Sequence, residues 1–200
     1  GMDGSGIALL QNNKMLLVAF SLLCLLQFEQ SYAKVIMVYN GGIWGVWGPM
    51  DVCPEGTKAA GFKLKVEPRQ GPGDDTALNG ISLSCVDPDF QLIKEVTSTV
   101  GPWGVWSSVY WCPNGYLQAF CLRVEKSQGA GDDTAANNIM FKCTGGQIIE
   151  GNGLNFGNYG DWSDSCVYGI DGVKSRVEPS QGGIKDDTAL NDAQFRCAES

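Results

Sequence analysis

One succession of landmarks recurs three times along the chain, and it limits the fold more than any other feature. Gly73-Asp74-Asp75-Thr76-Ala77-Leu78-Asn79 returns as Gly131-Asp132-Asp133-Thr134-Ala135-Ala136-Asn137 and again as Lys185-Asp186-Asp187-Thr188-Ala189-Leu190-Asn191, at spacings of 58 and 54 residues. Eleven residues after the first Asp of each copy stands a cysteine (Cys85, Cys143, Cys197), and 20 or 21 residues before it stands another (Cys53, Cys112, Cys166). Upstream lie Trp44-Gly45-Val46-Trp47, Trp103-Gly104-Val105-Trp106 and the looser Tyr159-Gly160-Asp161-Trp162. Between the landmarks sit Val66-Glu67-Pro68, Val124-Glu125-Lys126 and Val177-Glu178-Pro179. A chain built this way folds as three variants of one unit.

Within each unit the apolar residues have a period of two. Phe62, Leu64 and Val66 alternate with Lys63, Lys65 and Glu67, and Phe120, Leu122 and Val124 alternate with Cys121, Arg123 and Glu125. That is the pattern of half-buried antiparallel strands. No sustained helical stripe follows residue 33, so the fold class is all-β. A unit of roughly 55 residues supplies about four strands, one sheet with a single apolar face. Such a sheet cannot bury that face alone, whereas three sheets around a pseudo-threefold axis can. The expectation is a single triangular prism, with a three-bladed propeller as the weaker alternative.

Residues 16–26 read LLVAFSLLCLL between Lys14 and Ser31-Tyr32-Ala33, the layout of a secretory signal peptide. The run is shorter than the ~20 residues of a membrane helix, so no membrane span is expected. Residues 1–33 are therefore set aside as a cleaved leader. The remainder, 34–200, reads as one domain of three repeats at about 34–90, 91–149 and 150–200. Secretion permits disulfides. The repeat symmetry leaves pairing within repeats (Cys53–Cys85, Cys112–Cys143, Cys166–Cys197) or cyclically between them, and the closely matched separations of 32, 31 and 31 residues favour the first. Cys121 aligns with Lys63 and Lys174 on the outward face. This predicts an exposed free thiol, leaving either a monomer or a Cys121-linked dimer.

The chain carries a formal charge of −8 and no histidine. The charge opposes nucleic acid, whose recognition depends on Lys and Arg neutralising phosphates. The missing histidine removes Ser-His-Asp and Cys-His nucleophiles and imidazole metal sites. No cofactor and no metal are expected, since the aspartates lack the D-x-D-x-D-G spacing of a calcium loop.

The tripled GDDTA-x-N segments, the Trp44/Trp47 and Trp103/Trp106 pairs, the Val-Glu-Pro-x-Gln stretches and the leader together resemble the vitelline membrane outer layer protein 1 family, over essentially all of residues 34–200. The resemblance implies the β-prism I fold, three four-stranded antiparallel Greek-key sheets around a pseudo-threefold axis. It further implies a secreted protein of the egg's outer coat or of mucosal fluids, part of the extracellular matrix, and partners among glycans or coat glycoproteins. A lysozyme-like transfer activity on N-acetylglucosamine oligosaccharides is associated with the family, and the same fold occurs in sugar-binding jacalin-like lectins. Fold by itself does not transfer function. The family commonly carries a further cysteine in the third repeat's early loop and a partner at the end. Here Tyr168-Gly169-Ile170 and Cys197-Ala198 occupy those places, so a fourth disulfide is missing.

The candidate carbohydrate-binding residues are Asp74, Asp75, Asp132, Asp133, Asp186, Asp187 and Trp111. A glycosidase needs two carboxyls about 5–9.5 Å apart, one of them held protonated. Adjacent aspartates on extended chain point to opposite sides, so a working pair would have to come from different repeats or include Glu67, Glu125 or Glu178. Three near-identical copies also suit a plainer role, fixing the turn into each closing strand. No catalytic residue is assigned. Trp44, Trp47, Trp103, Trp106, Tyr159 and Trp162 could stack on sugars or pack sheet corners. Trp111 has no aromatic counterpart before Cys53 or Cys166, and a repeat-specific residue is where function is expected.

Overall fold

The computed structural model describes residues 33–67, 78–125, 136–179 and 190–199. Asp74, Asp75, Asp132, Asp133, Asp186 and Asp187 lie outside the described residues, as does the expected leader apart from Ala33. The described residues form β1 (Val35–Ile36), β2 (Val46–Trp47), β3 (Asp51–Val52), β4 (Lys58–Val66), β5 (Leu78–Val86), β6 (Leu92–Thr97), β7 (Val105–Trp106), β8 (Tyr110–Trp111), β9 (Leu117–Val124), β10 (Ala136–Cys143), β11 (Ile148–Glu150), β12 (Asn158–Tyr159), β13 (Ile170–Val177) and β14 (Leu190–Cys197). No helix among them is long and apolar enough to cross a membrane.

The period-two pattern becomes burial directly. Phe62, Leu64 and Val66 of β4 are buried, while Lys63 and Lys65 between them are half-buried, and β13 and β14 alternate in the same way. On β5 the outward positions are the small Gly80, Ser82 and Ser84, and all three are covered, Gly80 by Val100 and Trp106.

Three antiparallel sheets result, in the orders β6-β5-β4-β7, β11-β10-β9-β12 and β1-β14-β13-β2, with the short β8 also on β4 and β3 also on β13. In the first two, three consecutive strands are followed by a fourth that returns beside the first, a Greek key. The registers match from sheet to sheet: Phe62 opposes Leu83, Phe120 opposes Phe141 and Val173 opposes Phe195. These residues meet in one core, where ring centroids lie 4.8 Å apart for Phe62–Phe141, 4.6 Å for Phe120–Phe195 and 5.1 Å for Phe141–Phe195. The described residues thus form a triangular prism with three sheets facing one axis.

The sheets do not each belong to one repeat, which corrects the reading of one sheet per unit. β6 and β7 follow the first repeat in sequence but complete its sheet, and β12 does the same for the second, at whose end β11 stands. The third sheet takes its outer strands from far away in sequence. β1 and β2 provide them from the other end, Val35 opposing Arg196 and Trp47 opposing Arg176.

The aromatic motif of the third copy also shifts. Gly45, Gly104 and Gly157 adopt φ of 83°, 82° and 71°, and a Cβ on any of them would overlap the backbone of Val177, Val66 or Val124 respectively. The equivalents of Trp44-Gly45-Val46-Trp47 are therefore Phe156-Gly157-Asn158-Tyr159, three residues earlier than the tryptophan count suggested. Only glycine fits that approach, so the glycine fixes the alignment.

Three disulfides join Cys53–Cys85, Cys112–Cys143 and Cys166–Cys197. Each closes a loop of 31 or 32 residues, worth roughly 3–4 kcal/mol on a chain-entropy account. Beside the third bridge, the Ala198 amide donates to the Gly169 carbonyl at 2.9 Å.

Candidate functional site

The prism has three seams between sheets, and one differs. Between β3 and β6, Ser98 Oγ donates to the Pro49 carbonyl at 2.8 Å and the Thr97 amide to Asp51 Oδ2 at 3.0 Å. Between β8 and β11, Tyr110 and Ile149 pack against the core. The third seam, between β1 and β12, opens into a groove of about 1480 Å³ lined by residues 35–44 on one side and 157–164 on the other, with Val124 and Glu125 at one end.

A one-residue difference accompanies the opening. Eight positions separate Gly45 from Cys53 and Gly104 from Cys112, but nine separate Gly157 from Cys166. The extra residue falls between Ser163 and Cys166, and no counterpart of β3 or β8 is formed before that cysteine. The stretch is still anchored, with amides of Gly160, Ser163 and Cys166 donating to carbonyls of Leu122, Phe120 and Gln118 at 3.0, 2.8 and 2.9 Å. It carries Trp162 where the other copies have Pro49-Met50 and Ser108-Val109.

One wall is an edge segment that is apolar on both faces. Ile36 and Val38 are buried in the core, while Val35, Met37 and Tyr39 point outward, Tyr39 being 97% exposed. Past it, Asn40 crosses the seam with its Nδ2 donating to the Leu122 carbonyl at 2.9 Å, and Trp44 stands 47% exposed at the far end.

The other wall holds two rings, each backed by a cation. The Arg123 guanidinium lies 4.7 Å from the Tyr159 ring and Lys142 Nζ lies 4.5 Å from the Trp162 ring. The Tyr159 hydroxyl donates to Glu150 Oε1 at 2.7 Å, and burial together with that bond to a carboxylate holds its proton well above the ordinary range. Asp161, Asp164 and Glu125 bring carboxylates to the groove, and Asp164 pairs with Lys34 at 3.1 Å. Among the described residues, no lysine or arginine lines it. Flat rings beside amide and carboxylate acceptors suit a ligand with apolar faces and a hydroxylated rim.

The sequence-predicted residues distribute unevenly around this groove. Trp44, Tyr159 and Trp162 line it. Trp111 does not: it stands on β8 with its ring laid over Gly61 on the outer face of another sheet. Trp47 and Trp106 likewise cover Lys174 and Lys63 on outer faces, at 5.3 and 5.7 Å. Tyr39 and Asn40 were missed by sequence reasoning, although the doubly apolar Val35-Ile36-Met37-Val38-Tyr39 was a signal for them, since a strand apolar on both faces expects cover on both.

Cys121 is a correction. It does align with Lys63 and Lys174, yet it is buried, 1% exposed, rather than presented to solvent. Burial pushes its thiol up to about 11, with the backbone bond to Met140 and nearby Lys142 opposing. A thiol so covered cannot reach a second copy, so the Cys121-linked dimer is set aside.

A prism of three antiparallel sheets with an open seam defines a β-prism protein. Solved structures similar to it include a mannose-binding lectin from Champedak (TM-score 0.51, 13% identity, 84% of this chain and 98% of that one) and a mannose-specific jacalin-related lectin from Morus nigra (0.51, 15%, 85% and 97%). The Calystegia sepium lectin solved in complex with a biantennary N-glycan scores 0.52 at 12% identity, over 82% and 95% of the two chains. Residues 34–200 match the family described as Vitelline membrane outer layer protein I (VOMI), and the chain belongs to it. It is 49% identical over 175 residues to the vitelline membrane outer layer protein 1 homologs of Mus musculus and Homo sapiens, covering 86% of this chain and 87% and 86% of those relatives.

Proposed function

We propose that this protein is a secreted, disulfide-stabilised component of an extracellular coat or mucosal fluid, and that it binds carbohydrate in the groove between β1 and β12. The observation that carries the reading is the placement of Tyr39, Trp44, Tyr159 and Trp162 with polar acceptors at the one seam that breaks the threefold symmetry. The family, the three disulfides and the leader-like segment support secretion. The ligands of the lectin neighbours, mannose and an N-glycan, support carbohydrate as the class.

A transferase reading has weaker support. Asp192, a carboxyl held towards its protonated form at about 6 by burial, is set behind Gly41 rather than among the lining residues.

The test is a panel of defined oligosaccharides titrated against the purified protein by calorimetry, followed by mass analysis of the recovered sugars. Binding that weakens about tenfold or more in Trp162→Ala and is unchanged in Trp111→Ala supports the groove. Products of altered length would convert the reading to an enzyme. Absence of binding across the panel, or equal loss in both variants, overturns it.

A further inference from the structure

Trp111, the repeat-specific aromatic that the groove leaves out, has a companion on its own sheet. We infer that Trp106 and Trp111 form a second, open carbohydrate surface on the outer face of β4 and β5, suited to flat, extended β-linked polysaccharide rather than to a short sugar. It shares with the groove reading only the class of ligand.

Both indoles are seated on glycine. Trp111 Cε3 stands 2.8 Å from the point that a Cβ of Gly61 would take, so the ring lies against the strand itself. Trp106 opposes Lys65 from β7, yet its Cη2 comes within 3.2 Å of the same point on Gly80 of β5. Its indole therefore spans β4 and lies along the sheet. A side chain at either glycine would lift the ring off the face. Lying flat, each ring turns one side to solvent, with 38% of Trp106 and 43% of Trp111 exposed.

The spacing suits a chain of sugars. Trp106 and Trp111 stand opposite Lys65 and Gly61, four residues apart on one face of β4, or about 13 Å. Lys63 occupies the position between them, its Nζ 5.7 Å from the Trp106 ring and 2.6 Å from Glu95 Oε2. Two aromatic faces thus flank an ion pair that offers both a donor and an acceptor. An extended β-linked chain is a ribbon of matching character, its C–H faces bordered by hydroxyls. A coiled α-linked glucan cannot lay successive ring faces on one plane. The third sheet keeps the first ring as Trp47, but Val52 opposite Gly172 stands where Trp111 stands opposite Gly61.

Open and one-sided, the surface covers a single face of its ligand. Its grip therefore comes from a long or crystalline chain, and short soluble oligosaccharides are left to the groove. The groove lies at the seam of the other two sheets, so one molecule can hold both ligands at once.

The experiment is depletion of the purified protein from solution by microcrystalline cellulose, by chitin and by granular starch, at low salt and near 1 M. Cellulose or chitin should retain the protein at both salt levels, and starch should not. Trp111→Val, which puts the third sheet's residue in the same place and keeps a strand former there, should lower retention about tenfold or more, and Trp106→Ala likewise. Trp162→Ala should leave retention unchanged, while Trp111→Val should leave the oligosaccharide titration unchanged. The latter also shows that the variant is folded.

Retention by neither cellulose nor chitin, equal retention by starch, release near 1 M salt, or retention unmoved by Trp111→Val and Trp106→Ala overturns the platform and leaves the groove to its own titration. Retention that falls with Trp162→Ala instead assigns the polymer to the groove and overturns the platform as well.

Discussion

Tyr159 on β12 reaches Glu150 on β11, its hydroxyl 2.7 Å from Oε1, and so joins the two edges of a four-stranded sheet across its outer face. Cys121 and Met140 oppose each other on the two strands between. One side chain therefore serves as groove wall and as cover for the buried thiol.

That double role predicts the reactivity of Cys121. With its thiol held at about 11, only about one molecule in a thousand is thiolate at pH 8, and the sulfur is shielded as well. Native protein should resist iodoacetamide at Cys121 until denatured. Tyr159→Ala should raise the labelling rate about tenfold or more, whereas Tyr159→Phe keeps the ring and the protection. Peptide mapping by mass spectrometry reads the rates, and equal rates in the wild type and Tyr159→Ala would show that the cover lies elsewhere.

Asp192 and Asn138 make the same local bond in two sheets: Asp192 Oδ1 accepts from the Ala193 amide at 2.8 Å, and Asn138 Oδ1 from the Ile139 amide at 2.9 Å. Asn138 can also donate, and does so to the Gly151 carbonyl at 2.9 Å. Ionised Asp192 cannot. Burial lifts its carboxyl from 3.8 to about 6, with Arg176 and the Ala193 amide opposing. A carboxyl raised in the folded state contributes stability that is fully present below pH 3.8 and is lost as pH rises to about 6. The loss is on the order of 2–3 kcal/mol. Asp192→Asn should therefore stabilise the fold at pH 7 and change nothing near pH 3.5. Urea unfolding at intervals between these limits tests it, and an advantage that does not grow with pH would refute it.

Much of this architecture was legible because its cause is local. Phe62, Leu64 and Val66 announce a half-buried strand by spacing alone, and three copies of that strand call for a shared core. The exchange of strands was not legible, since nothing within a repeat says that Trp106 will pair with Lys65 of the preceding unit rather than within its own. The third aromatic motif was misread because tryptophan was counted as the landmark, whereas the backbone constraint sits on Gly157. The groove coincides with a single added residue before Cys166, which a comparison of aromatic and cysteine positions passes over. Cys121 does face outward by period, but its burial depends on Tyr159 arriving from 38 positions away along the chain.

Arg196 grips Asp171 with two parallel bonds, Nε to Oδ1 at 2.8 Å and Nη2 to Oδ2 at 2.6 Å. Asp171 is 7% exposed, beside the Cys166–Cys197 bridge in sequence and space. Replacing Arg196 by leucine strands that carboxylate, at a cost of about 3 kcal/mol. The double variant Asp171→Asn/Arg196→Leu should recover part of the loss, because an amide costs less to bury unpaired than a charge. Denaturant unfolding of the four proteins in the cycle gives the coupling, and additive losses would mean the pair contributes nothing beyond its separate residues.

The wall segment Val35–Tyr39 separates stability from binding by alternation alone. Ile36 is 1% exposed and packs in the common core, so Ile36→Ala leaves a cavity and should cost about 2–4 kcal/mol. Met37, one residue on, is 43% exposed and lines the groove. Met37→Ala should therefore move unfolding by less than about 0.5 kcal/mol while weakening oligosaccharide binding. Unfolding curves and titrations on the two variants decide the matter together. Because a shift of one residue turns every side chain of a strand to its other face, a reversed outcome would place the register of β1 on β14 one step away from Val35 opposite Arg196.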